Sequence, residues 1–324
     1  MSKKYVISID MGGTKVLACA INSKDGIISR VKEPTDPKST PEEYIHNLGL
    51  IVKKTISKSK LKDDQIAAVC LGIPGLVNPF TGIVGLAPNI GLKNVNIKKM
   101  LEAELPFPIL IENDVNIGAL GIKNFGVGKK SKNLLAVFVG TGIGGGIIID
   151  GKLYRGSDFA AGEIGHILVD KDGPVCGCGR KGCFEALASR TAIVNNIISD
   201  VKSGKKSLLK DKVDSGQRIK SKALASAVEN GDKVVCNRIE EGCIIIGEVL
   251  ASMINFMNFD TIVLGGGMID AIDDFMVPII KKSFDSHVLK VSSKSLKILV
   301  THLGDDAALY GGISLAEEFL GVKV

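Results

Sequence analysis

The sequence predicts an α/β protein built from two related domains. Three features carry that prediction: short apolar runs alternate with helical patterns, one Gly-turn hairpin pattern occurs twice, and the composition supplies enough apolar residues for large cores. The chain has 324 residues, 45% of them hydrophobic, and its mean hydropathy is +0.25. A chain of this length is expected to divide its core between two domains.

The first hairpin pattern covers residues 5–31, which read strand YVISID, turn MGGT, strand KVLACAIN, turn SKDG, strand IISRV. Residues 134–156 repeat the order as LLAVFV, GTGIGG, GIIID, Gly151 and KLYRG, about 130 residues later. Between them a helical pattern runs from Pro41 to Lys58, and buried strands are expected at Ile66–Gly72 and Ile109–Glu112. After residue 185 the chain reads as mainly helical through Asn255. A strand at Thr261–Leu264, a Gly-Gly-Gly turn, a helix at Asp270–Phe284, a strand at Leu296–Thr301 and a last helix from Asp306 follow. The domains are placed at 1–116 with 306–324, the smaller, and at 117–305, the larger.

The longest apolar stretch, Cys243–Ile269, is broken by Glu248, Asn255, Asn258, Asp260 and four glycines. It reads as a buried helix followed by a strand, not a membrane span. The N-terminal apolar run ends at Asp10, too soon for the core of a signal peptide. The net charge of +6 comes from lysine, with arginine only at 30, 155, 180, 190, 218 and 238. Bidentate recognition of bases and phosphates favours arginine, so nucleic acid is not an expected partner. The basic run Lys202–Lys222 lacks aromatic interleaving and reads as a solvated loop or helix face.

The segment AGEIGHILVDKDGPVCGCGRKGCFE sets His166, Cys176, Cys178 and Cys183 at a spacing suited to a closed tetrahedral zinc site. Disulfides are disfavoured, because near-adjacent Cys pairs are strained and the total of seven is odd. Four protein ligands leave no open position for an activated water, so the zinc is expected to be structural. Reduced thiols holding a metal place the protein in the cytoplasm. Glu163 lies one turn from His166, whose second ring nitrogen needs a partner, either a backbone carbonyl or a polar ligand.

Three glycine-rich turns are candidate nucleotide contacts. In the first, Asp10, Gly12, Gly13, Thr14 and Lys15 offer amides and a hydroxyl to phosphate oxygens, with Asp10 facing a magnesium ion. In the second, around Gly140, Thr141 and Gly142, a GxGxxG pattern runs into a strand instead of a helix, which argues against a dinucleotide fingerprint. The third, Gly265, Gly266 and Gly267, follows a strand and precedes a helix, where backbone can pack flat on an adenine ring. The remaining polar residues gather at GIPG (72–75), Pro88-Asn89 and Glu112-Asn113-Asp114. Asp114 is either the N-cap of the following helix or a functional carboxylate at a strand end. With the latter, Asn89, Asn113, Glu163, His166 and Glu185 offer donors and acceptors for a polyhydroxylated molecule.

DMGGTK, GIPG, ENDVN, GTGIGGG, EIGH and CGCGRKGCFE, in this order, resemble the ROK sugar kinases from residue 5 to about 315. The resemblance implies a two-domain actin-like ATPase (ribonuclease H-like) fold with the zinc segment in the larger domain. It implies ATP with magnesium as donor, a hexose such as glucose as acceptor, Asp114 as general base, and Gly75, Asn89, Asn113, Glu163, His166 and Glu185 as sugar contacts. His166 would be shared between zinc and sugar. The family's assemblies imply a homo-oligomer, a dimer or tetramer. It also includes repressors, expected to carry an added N-terminal winged-helix module, for which a first phosphate turn at residue 10 leaves no room.

Overall fold

The computed structural model describes residues 4–13, 15–35, 39–87 and 90–324. Two expected site residues, Thr14 and Asn89, lie outside the described residues. In chain order the elements are β1 (Tyr5–Met11), β2 (Lys15–Asn22), β3 (Gly26–Pro34), α1 (Pro41–Ser59), β4 (Ile66–Ile73), β5 (Leu76–Asn78), β6 (Ile83–Ala87) and β7 (Leu92–Asn96). Next come α2 (Ile97–Glu102), β8 (Ile109–Asn113), α3 (Asp114–Phe125), β9 (Leu134–Val139), β10 (Ile143–Ile149) and β11 (Lys152–Leu153). Helices α4 (Phe184–Ala188), α5 (Arg190–Lys202), α6 (Lys210–Asp214), α7 (Ser221–Glu229) and α8 (Lys233–Met257) follow, then β12 (Thr261–Gly265), α9 (Ile269–His287), β13 (Lys297–Val300) and α10 (Asp306–Leu320). None of these helices is long and apolar enough to cross a membrane.

The chain forms two compact units, residues 1–130 with 146–162 and 305–324, and residues 131–145 with 163–304. The first sheet has the order β3-β2-β1-β4-β8. Its first three strands are antiparallel, while β1, β4 and β8 run parallel. The other five-stranded sheet has the order β11-β10-β9-β12-β13, with β9, β12 and β13 parallel. The same arrangement, three consecutive strands followed by two parallel additions, appears twice, which is the topological form of the duplicated hairpin. It is the actin-like ATPase architecture. The parallel strands β4 and β12 are buried almost throughout, which explains why IAAVCLGI and TIVLG are continuous apolar runs without alternation.

In unit 1 the parallel register sets Asp10 beside Gly72, and Gly72 beside Glu112. The ends of β1, β4 and β8 therefore coincide, at the carboxyl edge where open α/β sheets take ligands. Helix α1 opens on a capping box between Thr40 and Glu43, with Pro41 at its first position. It buries Tyr44, Ile45, Leu48 and Val52 in the cluster that holds Ile7, Ile9 and Leu71. A three-stranded antiparallel sheet, β5-β6-β7, completes unit 1.

Helix α3 is clamped by glycine. A Cβ on Gly121 would overlap the carbonyl of Ala307 in α10, and one on Gly311 would overlap the carbonyl of Ile117 in α3. The two helices thus meet backbone to backbone, while Gly312 of α10 lies against Ser8 and Cys70 of the sheet. Alanine in a helix interior normally gains up to about 1 kcal/mol over glycine. Here rigid backbone opposes the methyl group, and overpacking costs about 1–3 kcal/mol. Gly311→Ala is therefore expected to lower the midpoint of thermal unfolding by several degrees, and a raised midpoint would contradict the close α3–α10 contact.

Candidate active site

In unit 1 the candidate residues gather at the β8–α3 junction. Asn113 is the N-cap of α3: its Oδ1 accepts from the amides of Val115 (2.9 Å) and Asn116 (3.0 Å). The cap role that Asp114 could have taken thus belongs to its neighbour, and Asp114 is the first helical residue, where the helix N-terminus favours a carboxylate. The Asn113 Nδ2 donates to the carbonyl of Gly75 at 3.1 Å. Gly75 has φ +103°, and a Cβ there would overlap the Leu86 carbonyl, so only glycine fits the GIPG turn at this position.

Behind this junction lies a carboxylate whose role the sequence did not reveal. Glu112 is 1% exposed. Its Oε1 accepts from the Asn113 amide (2.9 Å) and from Asn116 Nδ2 (3.2 Å), and its Oε2 accepts from Arg155 Nε (2.6 Å). Arg155 also grips Glu318 with both terminal nitrogens, at 2.7 and 3.0 Å. Burial works against the Arg155 charge, yet Glu318 and Glu112 hold its pKa above the ordinary value.

Asp10 stands one residue before the end of β1, where nearby carboxylates act on it. Burial, then the nearby Asp114 and Asp305 carboxylates, push its pKa up to about 7, against the opposing pull of Lys15. Lys15, one of the expected nucleotide contacts, pairs with Asp305 across the opening of α10. The turn is closed by the Gly12 amide donating to the Lys15 carbonyl (2.9 Å), with Gly13 between them. A carboxylate whose pKa neighbouring carboxylates raise is one that a hard divalent cation would relieve, which is the chemistry the expected magnesium would meet at Asp10.

In unit 2 the candidate residues are organised around the Cys/His segment. The ligand atoms of His166, Cys176, Cys178 and Cys183 all lie within 4.8 Å of one another. Cys178 and Cys183 sulfurs are 3.7 Å apart, as are Cys176 Sγ and His166 Nδ1. Zinc bond lengths in a tetrahedron require ligand separations of about 3.5–3.8 Å, so the residues fit the ion. Burial pushes the Cys176 thiol up to about 12, whereas hydrogen bonds from the Arg180 backbone and side chain hold Cys178 down to about 6.

His166 presents Nδ1 to the sulfur cluster and Nε2 to Glu163 Oε2, at 3.8 Å. Of the two partners open to that second nitrogen, no backbone carbonyl takes it among the described residues. Glu185 links the cluster to the Gly140–Gly142 turn: its Oε1 lies 3.2 Å from Cys176 Sγ and 3.8 Å from His166 Nδ1, and its Oε2 lies 3.4 Å from the Ile143 amide. A Cβ on Gly142 would strike that carboxylate, and one on Gly165 would overlap the Ile143 carbonyl. The glycine of EIGH therefore lets the His166 turn lie flat on the glycine turn.

At the third turn, Gly266 has φ +89° and lies against the Val139 backbone, while Gly265 packs on Thr301. Gly267 faces a cavity of about 490 Å³ lined by Ser221, Lys222, Ser226, Glu229 and Asp270, within the size range of small-molecule sites. The structure brings Asp10, Gly75, Asn113 and Asp114 together in unit 1. In unit 2 it brings together Glu163, His166, Glu185 and the cysteines, with Thr141 and Gly142 beside them and Gly265–Gly267 against Val139 at the foot of the same turn.

The chain matches the ROK family over residues 6–319. It is 31% identical to a glucokinase of Halalkalibacterium halodurans over 313 residues, 96% of this chain and 94% of that one. It is 28% identical to the xylose repressor of Caldicellulosiruptor bescii, covering 96% of this chain and 77% of the repressor. Among solved structures, a ROK family glucokinase from Streptomyces griseus in complex with glucose and AMPPNP superposes with a TM-score of 0.84 at 31% identity, covering 97% of this chain and 99% of that one.

The charge state of Asp10 can be tested without any substrate. Its folded pKa lies above the ordinary carboxylate value of 3.8, so folding binds a proton, and the stability this supplies is present below about pH 4 and lost as pH rises through about 7. In metal-free buffer Asp10→Asn should gain thermal stability relative to wild type as pH is raised through that window. A difference between the two proteins that stays constant with pH would remove the burial argument.

Proposed function

The chain belongs to the ROK family, and from that premise we propose that it transfers the γ-phosphoryl group of ATP to the primary hydroxyl of a hexose, with glucose the first substrate to test. The observation that carries the reading is the β8–α3 junction, where Asn113 takes the capping role and leaves Asp114 at a ligand-binding sheet edge beside Asp10. Similarity to glucokinases at 31% identity supports the substrate class.

In this reading Asp114 takes the proton of the primary hydroxyl as its oxygen attacks the γ-phosphorus. The bond from that phosphorus to the β–γ bridging oxygen breaks, ADP leaves, and a hexose 6-phosphate results. Phosphoryl transfer depends mostly on positioning and charge stabilisation. Asn113, the Gly75 loop, Asn89, Glu163, His166 and Glu185 are the proposed sugar contacts. Gly12, Gly13, Thr14 and Lys15, Thr141 with Gly142, and Gly265–Gly267 are the proposed nucleotide contacts. Asp10 would hold magnesium, which neutralises phosphate charge when bound. Zinc, when bound by His166, Cys176, Cys178 and Cys183, fixes the imidazole ring so that Nε2 keeps its direction.

A second reading, a sugar-sensing regulator without turnover, is favoured by the similarity to a xylose repressor. ATP-dependent phosphorylation across glucose, mannose, fructose, allose, N-acetylglucosamine and N-acetylmannosamine separates the two. Turnover of one of these sugars that requires magnesium supports the kinase. Sugar binding by calorimetry with no turnover supports the regulator.

Asp114→Ala is expected to lower kcat by about 10²- to 10⁴-fold while sugar binding survives, because a positioned base contributes that much. Near wild-type turnover would remove Asp114 as the base. Cys178→Ser should lose zinc on elemental analysis and raise the sugar KM, since metal binding and local folding of the segment are coupled. Full sugar affinity in a zinc-free protein would sever the proposed link between metal and substrate.

A further inference from the structure

We infer that Arg190 binds the phosphates of the nucleotide donor, an inference that rests on the nucleotide reading above. Arg190 opens α5, and its backbone amide donates to the Gly140 carbonyl at 3.0 Å. Its Nη2 donates to Thr141 Oγ1 at 2.6 Å and its Nη1 to Ser221 Oγ at 3.3 Å. The same Nη1 lies 3.9 Å from where a Cβ on Gly267 would stand. Ser221 and Gly267 both line the 490 Å³ cavity, whereas Thr141 belongs to the glycine turn. One guanidinium therefore spans the interval between a cavity of nucleoside size and the Gly140–Gly142 turn.

The partners of Arg190 are neutral hydroxyls, and among the described residues it forms no ion pair. Arg238, by contrast, is matched by Asp200 and Glu241, and Arg155 by Glu112 and Glu318. Burial and then Arg218 both disfavour the Arg190 charge, and no carboxylate offsets them. A half-buried cation matched only by hydroxyls is a site that an anion completes. Two of the five guanidinium N–H groups are used by Thr141 and Ser221, leaving others for phosphate oxygens. A nucleotide with its base in the cavity and its phosphates toward the Gly140–Gly142 turn would pass along this side chain.

The test is calorimetry on the full chain with adenosine, ADP with magnesium and AMPPNP with magnesium, using wild type, Arg190→Ala and Arg190→Gln. A charge-assisted contact to phosphate predicts that both variants weaken AMPPNP by about 10- to 100-fold and leave adenosine unchanged, with ADP weakened as well. Arg190→Gln keeps a polar side chain near Thr141 and removes only the charge, so the test survives if the alanine variant fails to fold. Equal weakening of all three ligands would make Arg190 a brace for the turns and overturn the inference, as would unchanged AMPPNP affinity. If wild type binds none of them, the nucleotide reading itself falls. If wild type binds AMPPNP normally and the variants do too, only the role of Arg190 falls.

Discussion

The buried charge of Glu112 constrains everything built at the β8–α3 junction. A carboxylate removed from water costs several kcal/mol unless its charge and lone pairs are met. Arg155 meets the charge through Nε, and the Asn113 amide and the Asn116 side chain meet the other oxygen. The Asn113 backbone is held by that contact, so its side chain is directed to cap α3 with one end and to hold the Gly75 carbonyl with the other. Asp114 follows at the first helical position with little freedom in its backbone. Arg155 meanwhile lies between Glu112 and Glu318 and over the ring of Phe319, at 5.6 Å from its centroid. Three stretches of unit 1, distant in sequence, are thereby fixed to the residue that carries the proposed proton transfer. Removing one partner of such a pair is costly because the other is left buried and unmatched.

Unit 2 reaches a comparable rigidity by a different route. Its chain around residues 163–185 has little regular structure, with bridges only at Leu168–Cys183 and Val175–Lys181. Left-handed backbone at Gly162, Gly179 and Gly182 lets this segment reverse repeatedly, and a Cβ on Gly182 would overlap the Asp170 carbonyl. Such a loop buries few apolar side chains of its own, so a metal held by His166 and the three cysteines would order it. Glu185 transmits that order, since it faces the sulfur cluster with one oxygen and the Ile143 amide with the other.

How much of this was legible follows from the range of each signal. The hairpins β1–β3 and β9–β11, the helix α1 and the buried strands β4, β8 and β12 were legible because period and turn residues are local properties of the chain. The Cys/His cluster was legible because its ligands lie within 18 positions and the chemistry of zinc prescribes their types. The sheet β5-β6-β7 was not: its strands are three to five residues long, and Leu76, Ile83 and Leu86 are exposed, so no clean alternation marks them. Asn113 and Asp114 are both good caps, and only backbone geometry decides between them. Arg155 and Arg190 carried no local signal at all. Their partners stand 43 and 163 residues away in the first case, and 49 and 31 in the second.

Each unit holds a group whose charged form its surroundings disfavour, an acid in unit 1 and a base in unit 2. In unit 1 burial and the nearby Asp114 and Asp305 carboxylates raise the Asp10 pKa to about 7, against the pull of Lys15, which itself pairs with Asp305. Unit 2 sets Arg190 near Arg218 with hydroxyl partners instead of carboxylates. A fold selected for stability alone would match these groups internally, as it does at Arg238 with Asp200, or replace them with apolar residues at no loss. Leaving an acidic group to be relieved by a divalent cation and a basic one by an anion sacrifices stability in the free protein.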